Sequence, residues 1–147
     1  RGGAGGPSRS STVLVDPRQT LQWFGGEVAG VGDVNGDGYD DVAVGGNNET
    51  SYESHACIYL GAPGGPSTSP TTTLTGRSNT EFAMVLGAAG DVNGDGFDDV
   101  LVAAPGDGTG RVYLYFGGAS GVSTTPTFLD STNATAANFG FALAAAR

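Results

Sequence analysis

The sequence carries one motif twice, as Asp33-Val34-Asn35-Gly36-Asp37-Gly38-Tyr39-Asp40-Asp41 and as Asp91-Val92-Asn93-Gly94-Asp95-Gly96-Phe97-Asp98-Asp99. Both copies follow the pattern D-x-N-x-D-G-x-x-D, which places oxygen-bearing side chains at the first, third, fifth and ninth positions. Glycine at the sixth position permits a sharp turn, because it has no Cβ to clash at positive φ. Ca²⁺ takes about six to eight oxygen ligands from carboxylates, amides and backbone carbonyls. The motif therefore predicts two calcium loops, at residues 33–41 and 91–99.

The spacing assigns a separate set of ligands to each loop. The first calcium would be held by the side chains of Asp33, Asn35, Asp37 and Asp41 and by the backbone carbonyl of Tyr39. The second would be held by the side chains of Asp91, Asn93, Asp95 and Asp99 and by the backbone carbonyl of Phe97.

Two other interpretations of the motif are weaker. Asp, Asn and Gly favour tight turns, so a single copy could be a turn without a metal. Two copies of the motif in matching contexts favour metal binding by both loops over metal-free turns. An EF-hand requires a bidentate Glu at the twelfth position of its loop and helices on both sides. Val44 and Val102 occupy that position here, inside apolar runs typical of strands, so the loops are not EF-hands.

Composition narrows the class of protein. The 147 residues carry a net charge of −9, with 15 acidic and 6 basic side chains. A nucleic-acid partner is disfavoured, because no basic patch exists to replace phosphate counterions. No apolar stretch approaches the length of a membrane span. The one cysteine, Cys57, excludes an internal disulfide, and all basic residues are Arg, which suggests a GC-rich bacterial source.

Phenylalanines recur with the period of the motif. Phe82 follows Phe24 at the distance by which Asp91 follows Asp33, and Phe139 follows Phe82 at nearly that distance. Such self-similarity indicates a repeat architecture, here of about two and a half repeats. We expect the outer strand and linker of a preceding unit at 1–23, full repeats at 24–81 and 82–138, and the first strand of a truncated next repeat at 139–147.

Four strands are predicted in each repeat, since β-branched and aromatic residues alternate with turn clusters. They are the Phe-led run, the run after each calcium loop, a third strand at 55–60 or 111–116, and a fourth at 71–75 or 127–129. Thr12-Val13-Leu14-Val15 is predicted as the fourth strand of the preceding unit. The third strand alternates as an outer, half-exposed strand should. Four antiparallel strands per repeat match a β-propeller blade, so we expect an all-β chain forming an incomplete propeller ring.

The repeat resembles the FG-GAP repeat found in integrin α-subunit propellers and in many bacterial extracellular proteins. The resemblance rests on Phe24-Gly25 and Phe139-Gly140, on the two D-x-N-x-D-G-x-x-D loops and on the turn Ala103-Ala104-Pro105. Phe82-Ala83 and Gly45-Gly46 depart from that pattern. The likeness covers nearly the whole chain, and it implies a calcium-bearing β-propeller that this chain is too short to close.

These features predict a calcium-binding extracellular or cell-surface module for binding, adhesion or structure. Three carboxylates per site and an extracellular setting suggest weak affinity, on the order of 10⁻⁴–10⁻³ M. We expect the chain to self-associate or to pack against neighbouring blades of a longer chain, with a protein or glycan as its candidate ligand.

Catalysis is not expected. His55 is the one histidine and is interpreted as an exposed residue at a strand edge, without the orienting group and pocket that a nucleophile needs. The alternatives are the propeller portion of a secreted hydrolase or lyase, and a helical, dockerin-like calcium module.

Overall fold

The computed structural model describes residues 11–19, 21–132 and 138–144. These residues form eight strands and no helix. The strands are β1 (Glu27–Gly32), β2 (Asp41–Asn47), β3 (Ser54–Tyr59), β4 (Thr72–Thr75), β5 (Val85–Gly90), β6 (Asp99–Ala104), β7 (Arg111–Tyr115) and β8 (Thr127–Asp130). They build two four-stranded antiparallel sheets with the strand orders β1-β2-β3-β4 and β5-β6-β7-β8. The all-β prediction with four antiparallel strands per repeat is confirmed, and the dockerin-like alternative finds no helix among the described residues.

The two sheets repeat each other down to their irregularities. Glu27 pairs with Gly45 in the first sheet, and Val85 pairs with Ala103 in the second. In both sheets the register shifts just before the motif, between Gly30 and Gly32 and between Ala88 and Gly90. Such a bulge bends a strand and increases its twist. The bulge therefore turns each first strand into its loop. No helix of the described residues is long and apolar enough to span a membrane.

The main apolar core lies between the two sheets, where β1 packs against β5. The first sheet contributes small and branched side chains, and the second contributes larger ones with two tyrosines. The buried members of this core, from both sheets, are Val31, Val34, Ala43, Ala56, Ile58, Leu74, Phe82, Ala83, Leu86, Val100, Val102, Ala104, Tyr113, Tyr115 and Val122. Two four-stranded sheets packed face to face are consistent with consecutive blades of a partial propeller.

Phe82 closes this core at the point where the chain passes from the first sheet to the second. Its side chain is 1% exposed, and its ring lies edge-on to Tyr113 with 5.1 Å between the centroids. It also lies directly over Gly76, where a Cβ would clash with the ring. The aromatic side chain thus joins the last strand of one sheet to the third strand of the next.

A smaller apolar cluster covers the face of the first sheet that points away from the second sheet. Val44, Cys57 and Tyr59 are its buried members, with Leu14, Phe24 and Val42 packed against them. The Tyr59 hydroxyl donates to the Val15 carbonyl at 2.8 Å. Residues 14–16 therefore cross this surface, which we call the outer face of the first sheet.

Two predicted terminal strands are not formed within the part of the chain that the structure describes. Residues 12–15 run without strand pairing, and they contact the first sheet through the Leu14 side chain and the Val15 carbonyl. Residues 139–142 form a turn and a bend, with the Phe139 N–H donating to the Thr109 carbonyl at 3.1 Å. Residues 1–10 and 145–147 lie outside the described residues. The division at 1–23, 24–81, 82–138 and 139–147 stays a prediction.

The first and third strands also differ from expectation. β1 begins at Glu27, and Phe24 lies in the preceding turn, where the Gly25 N–H donates to the Gly45 carbonyl at 3.0 Å. β3 is an inner strand with β2 and β4 on its two sides, and it is buried from His55 to Tyr59. The interpretation of His55 as an exposed edge residue is therefore wrong, because its side chain is 1% exposed under Asp16.

Phe82→Ala should lower the free energy of unfolding by about 3–5 kcal/mol, because it empties a buried aromatic site. Tyr52→Ala is the matched control, since Tyr52 is 58% exposed, and it should change stability by no more than about 0.5 kcal/mol. Urea denaturation of both variants measures the difference. Equal losses for the two variants would show that Phe82 does not join the sheets.

Candidate metal centre

Each motif forms a loop that wraps its backbone around its first aspartate. Asp33 Oδ1 accepts from the backbone N–H groups of Gly36 and Asp37 at 2.7 and 3.0 Å. Asp33 Oδ2 accepts from the N–H of Gly38 at 2.8 Å. The second loop repeats these contacts, with Asp91 accepting from the N–H groups of Gly94, Asp95 and Gly96. Gly36 and Gly38 both adopt positive φ, so the curl depends on glycine at these positions.

The ninth residue of each loop is a buried anchor. Asp41 is fully buried, and its two oxygens accept from the Val34 N–H at 2.9 Å and the Gly61 N–H at 2.7 Å. Asp99 makes the same pair of contacts with Val92 and Gly117, each at 2.9 Å. One carboxylate thus ties the start of the loop to the turn that follows the third strand.

The middle of each loop is exposed and rich in oxygen atoms. The Asn35 Nδ2 donates to Asp37 Oδ2 at 2.9 Å, and the Asp37 N–H donates to Asn35 Oδ1 at 3.2 Å. Asn93 and Asp95 repeat both contacts. The side chains at positions three and five therefore lie side by side in both copies.

Electrostatic repulsion accumulates within the first loop. Burial raises the pKa of Asp41, and hydrogen bonds from Gly61 and Val34 act against this rise. The charges of Asp37 and Asp33 raise the pKa further. A bound cation would offset this repulsion, because each carboxylate would be attracted to the ion.

The donor set of each loop fits Ca²⁺, since it combines carboxylate and amide oxygens on a tightly curled backbone. The structure does not, however, bring three loop carboxylates together. Among the described residues, three acidic, histidine or cysteine ligand atoms lie within 4.8 Å of one another only at Asp16, His55 and Cys57. The three carboxylates predicted as ligands in each loop are thus not gathered around one point, and both oxygens of Asp33 accept from backbone N–H groups.

The two loops contact each other, which the sequence did not predict. Asp98 Oδ2 accepts from the Asp33 N–H at 2.9 Å, and the Asp98 N–H donates to the Asp33 carbonyl at 3.0 Å. The Gly118 N–H donates to the Val34 carbonyl at 2.9 Å, and Phe97 lies over Gly36. Both motifs have Asp at this eighth position, so the pattern could not indicate which copy reaches its neighbour.

Comparison with known proteins identifies the repeat. The model of the FG-GAP repeat family matches residues 24–55 and 85–115. Integrin alpha-6 of Gallus gallus is 33% identical over 82% of this chain, and integrin alpha-7 of Rattus norvegicus is 31% identical over 89%. Integrin alpha-PS2 of Drosophila melanogaster is 34% identical over 77%. The chain spans 12%, 12% and 9% of the lengths of these relatives, respectively.

Asp98→Ala should lower the free energy of unfolding by about 1–3 kcal/mol, because it leaves the Asp33 N–H without its acceptor. Asp40→Ala is the matched control at the same loop position, where the side chain is exposed, and we expect a change within about 0.5 kcal/mol. Urea denaturation in excess chelator separates this effect from metal binding. A loss in Asp40→Ala as large as in Asp98→Ala would contradict the role of Asp98 between the loops.

Proposed function

Because this chain carries FG-GAP repeats, we propose that it is a calcium-stabilised β-propeller segment serving as an extracellular binding, adhesion or structural module. The main support is the repeated loop, in which the same oxygen-rich residues take the same hydrogen bonds in both copies. The similarity to integrin α subunits supports the module assignment. The proposed blades are 24–81 and 82–138, with 1–23 and 139–147 belonging to adjoining blades.

Calcium would act on the connection between the first two strands of each sheet. Asp33, Asn35, Asp37, Asp41 and the Tyr39 carbonyl would hold one ion. Asp91, Asn93, Asp95, Asp99 and the Phe97 carbonyl would hold the other. Each ion would neutralise clustered carboxylates and fix the loop, so binding would stabilise the folded chain by mass action.

The neighbours of this segment would pack on its two outer surfaces. Val13 and Val15 are 68% and 49% exposed on the side of the first sheet. Leu129 and Phe141 are 42% and 63% exposed on the side of the second sheet. Apolar groups at both ends of the stack suit adjoining blades or a second copy of the chain.

A non-enzymatic role fits the described residues better than catalysis does. His55 and Cys57 are both buried in the first sheet, and the His55 Nε2 is engaged by Asp16 at 3.0 Å. The alternative is a propeller portion of a secreted hydrolase or lyase. A screen with glycan and ester substrates in calcium distinguishes the two, and turnover by the purified chain would overturn the module proposal.

We expect two calcium ions per chain by isothermal titration, with affinities on the order of 10⁻⁴–10⁻³ M. Calcium at about 10 mM should then stabilise the fold by about 1–3 kcal/mol per site. Asp37→Asn combined with Asp95→Asn should abolish most of this gain, because both changes remove a loop carboxylate. Asp130→Asn is the matched control outside the loops, and it should bind calcium normally. If the free energy of unfolding of the wild-type chain does not change with calcium, the assignment of the two loops as calcium sites is refuted.

Self-association is tested by light scattering with calcium and with excess chelator. We expect a discrete multimer in calcium that becomes smaller or unfolds in chelator. Phe141→Ser should weaken the multimer, whereas Tyr52→Ser, which alters another exposed aromatic residue, should not. A folded monomer under both conditions would contradict self-association.

A further inference from the structure

A second group of metal-ligand side chains lies outside the loop motif, on the outer face of the first sheet. His55 and Cys57 are two residues apart on β3 and therefore point to the same side of the sheet. Asp16 reaches them from the segment that crosses this face. The exposed fractions of Asp16, His55 and Cys57 are 7%, 1% and 0%. The chain thus brings a carboxylate, an imidazole and its one thiol together in a buried position.

The spacing of these groups is close to that of a metal centre. The His55 Nε2 lies 3.0 Å from Asp16 Oδ1, and the oxygen, nitrogen and sulfur ligand atoms all lie within 4.8 Å of one another. Tetrahedral Zn²⁺ has bonds of about 2.0–2.3 Å, which place its ligand atoms about 3–4 Å apart. Small side-chain movements would therefore close the cluster around an ion.

We propose that Asp16, His55 and Cys57 bind a transition-metal cation of the Zn²⁺ type through three side-chain ligands. Thiolate and imidazole select borderline or soft cations, whereas the oxygen-only loops select Ca²⁺. One carboxylate and one thiolate balance the two charges of the ion. This site is independent of the proposed calcium function.

Water would supply the fourth ligand of such an ion. A pocket of about 230 Å³ adjoins His55 and is lined by Arg18, Ser54 and Thr75 among others. Zn²⁺ commonly combines three protein ligands with one water molecule. The pocket borders His55 and not Asp16 or Cys57, so water would enter the site from the His55 side.

Asp16 is held in place before any metal arrives. The Arg18 N–H donates to its Oδ1 at 3.0 Å, and the Leu21 N–H donates to its Oδ2 at 3.3 Å. Burial acts to raise the pKa of Asp16, but these bonds and the His55 contact outweigh it and lower the pKa. The carboxylate is thus oriented over β3 by its hydrogen bonds.

A nucleophilic cysteine is the competing interpretation of the same residues. Cys57 is fully buried, and burial raises the pKa of its thiol, which makes it unreactive in the absence of metal. Its polar neighbours outside the cluster include the Tyr59 side chain and the Thr73 hydroxyl, with 3.8 Å between Sγ and Oγ1 of Thr73. A metal would itself displace the thiol proton, since binding and deprotonation are coupled.

Cobalt(II) titration of the calcium-loaded chain tests the proposal. We expect one tight equivalent of Co²⁺ with a thiolate-to-cobalt charge-transfer band, and displacement of Co²⁺ by Zn²⁺. The band is diagnostic because the chain has one cysteine. A wild-type chain that gives no such band with Co²⁺ and takes up no Zn²⁺ overturns the proposal, whatever the variants do.

Variants then identify the ligands. Cys57→Ala should remove the band, and His55→Gln or Asp16→Asn should weaken Co²⁺ binding by at least about tenfold. Val44→Ala is the matched control, because it removes a buried side chain from the same cluster and keeps all three ligands. Retention of tight Co²⁺ binding in Cys57→Ala, or its loss in a folded Val44→Ala, would contradict the assignment.

Discussion

The buried carboxylate at the ninth loop position is the contact on which each sheet depends. Asp41 comes at the first residue of β2, yet it accepts from a loop N–H and from a turn N–H beyond β3. Removing it would leave two backbone donors buried without an acceptor, which costs more than the bonds themselves contribute. Strand pairing alone would not fix where the loop and the turn lie. One side chain therefore sets the geometry of three segments, and Asp99 does the same in the second sheet.

The contact between the loops extends this local order to the stack of sheets. Asp98 satisfies the backbone of Asp33, and the turn after β7 donates to Val34, so the second loop completes the hydrogen bonding of the first. The apolar core lies beside these contacts, and the hydrophobic effect that stabilises it is non-directional. Hydrophobic burial thus brings the sheets together, while polar contacts at the loops set their relative position. A mutation at one loop should consequently alter how the neighbouring sheet is positioned.

Strand number and strand type are predictable, because motif period and residue alternation are local properties. Which strands lie beside each strand in its sheet is not predictable in this way. The residues of β3 alternate as a half-exposed strand would, but β4 and residues 14–16 cover them, so alternation alone puts His55 at an edge where it does not lie. Residues 12–15 have strand-like composition without a ladder. The proposed loop ligands rest on spacing alone, whereas the Asp98 contact depends on how two copies stack, which no single repeat encodes.

Equivalent positions on the two sheets carry different chemistry, and this difference explains why only one sheet has a second candidate metal site among the described residues. Pairing with β2 and β6 makes His55 and Cys57 the counterparts of Arg111 and Tyr113. Arg111 pairs with Asp130, and the Tyr113 hydroxyl donates to Asp107 at 2.9 Å. In this network Arg111 is paired with Asp107 and Asp130, and none of the side chains is a soft metal ligand. The repeat therefore keeps its backbone geometry while the side chains on one face are free to acquire separate functions.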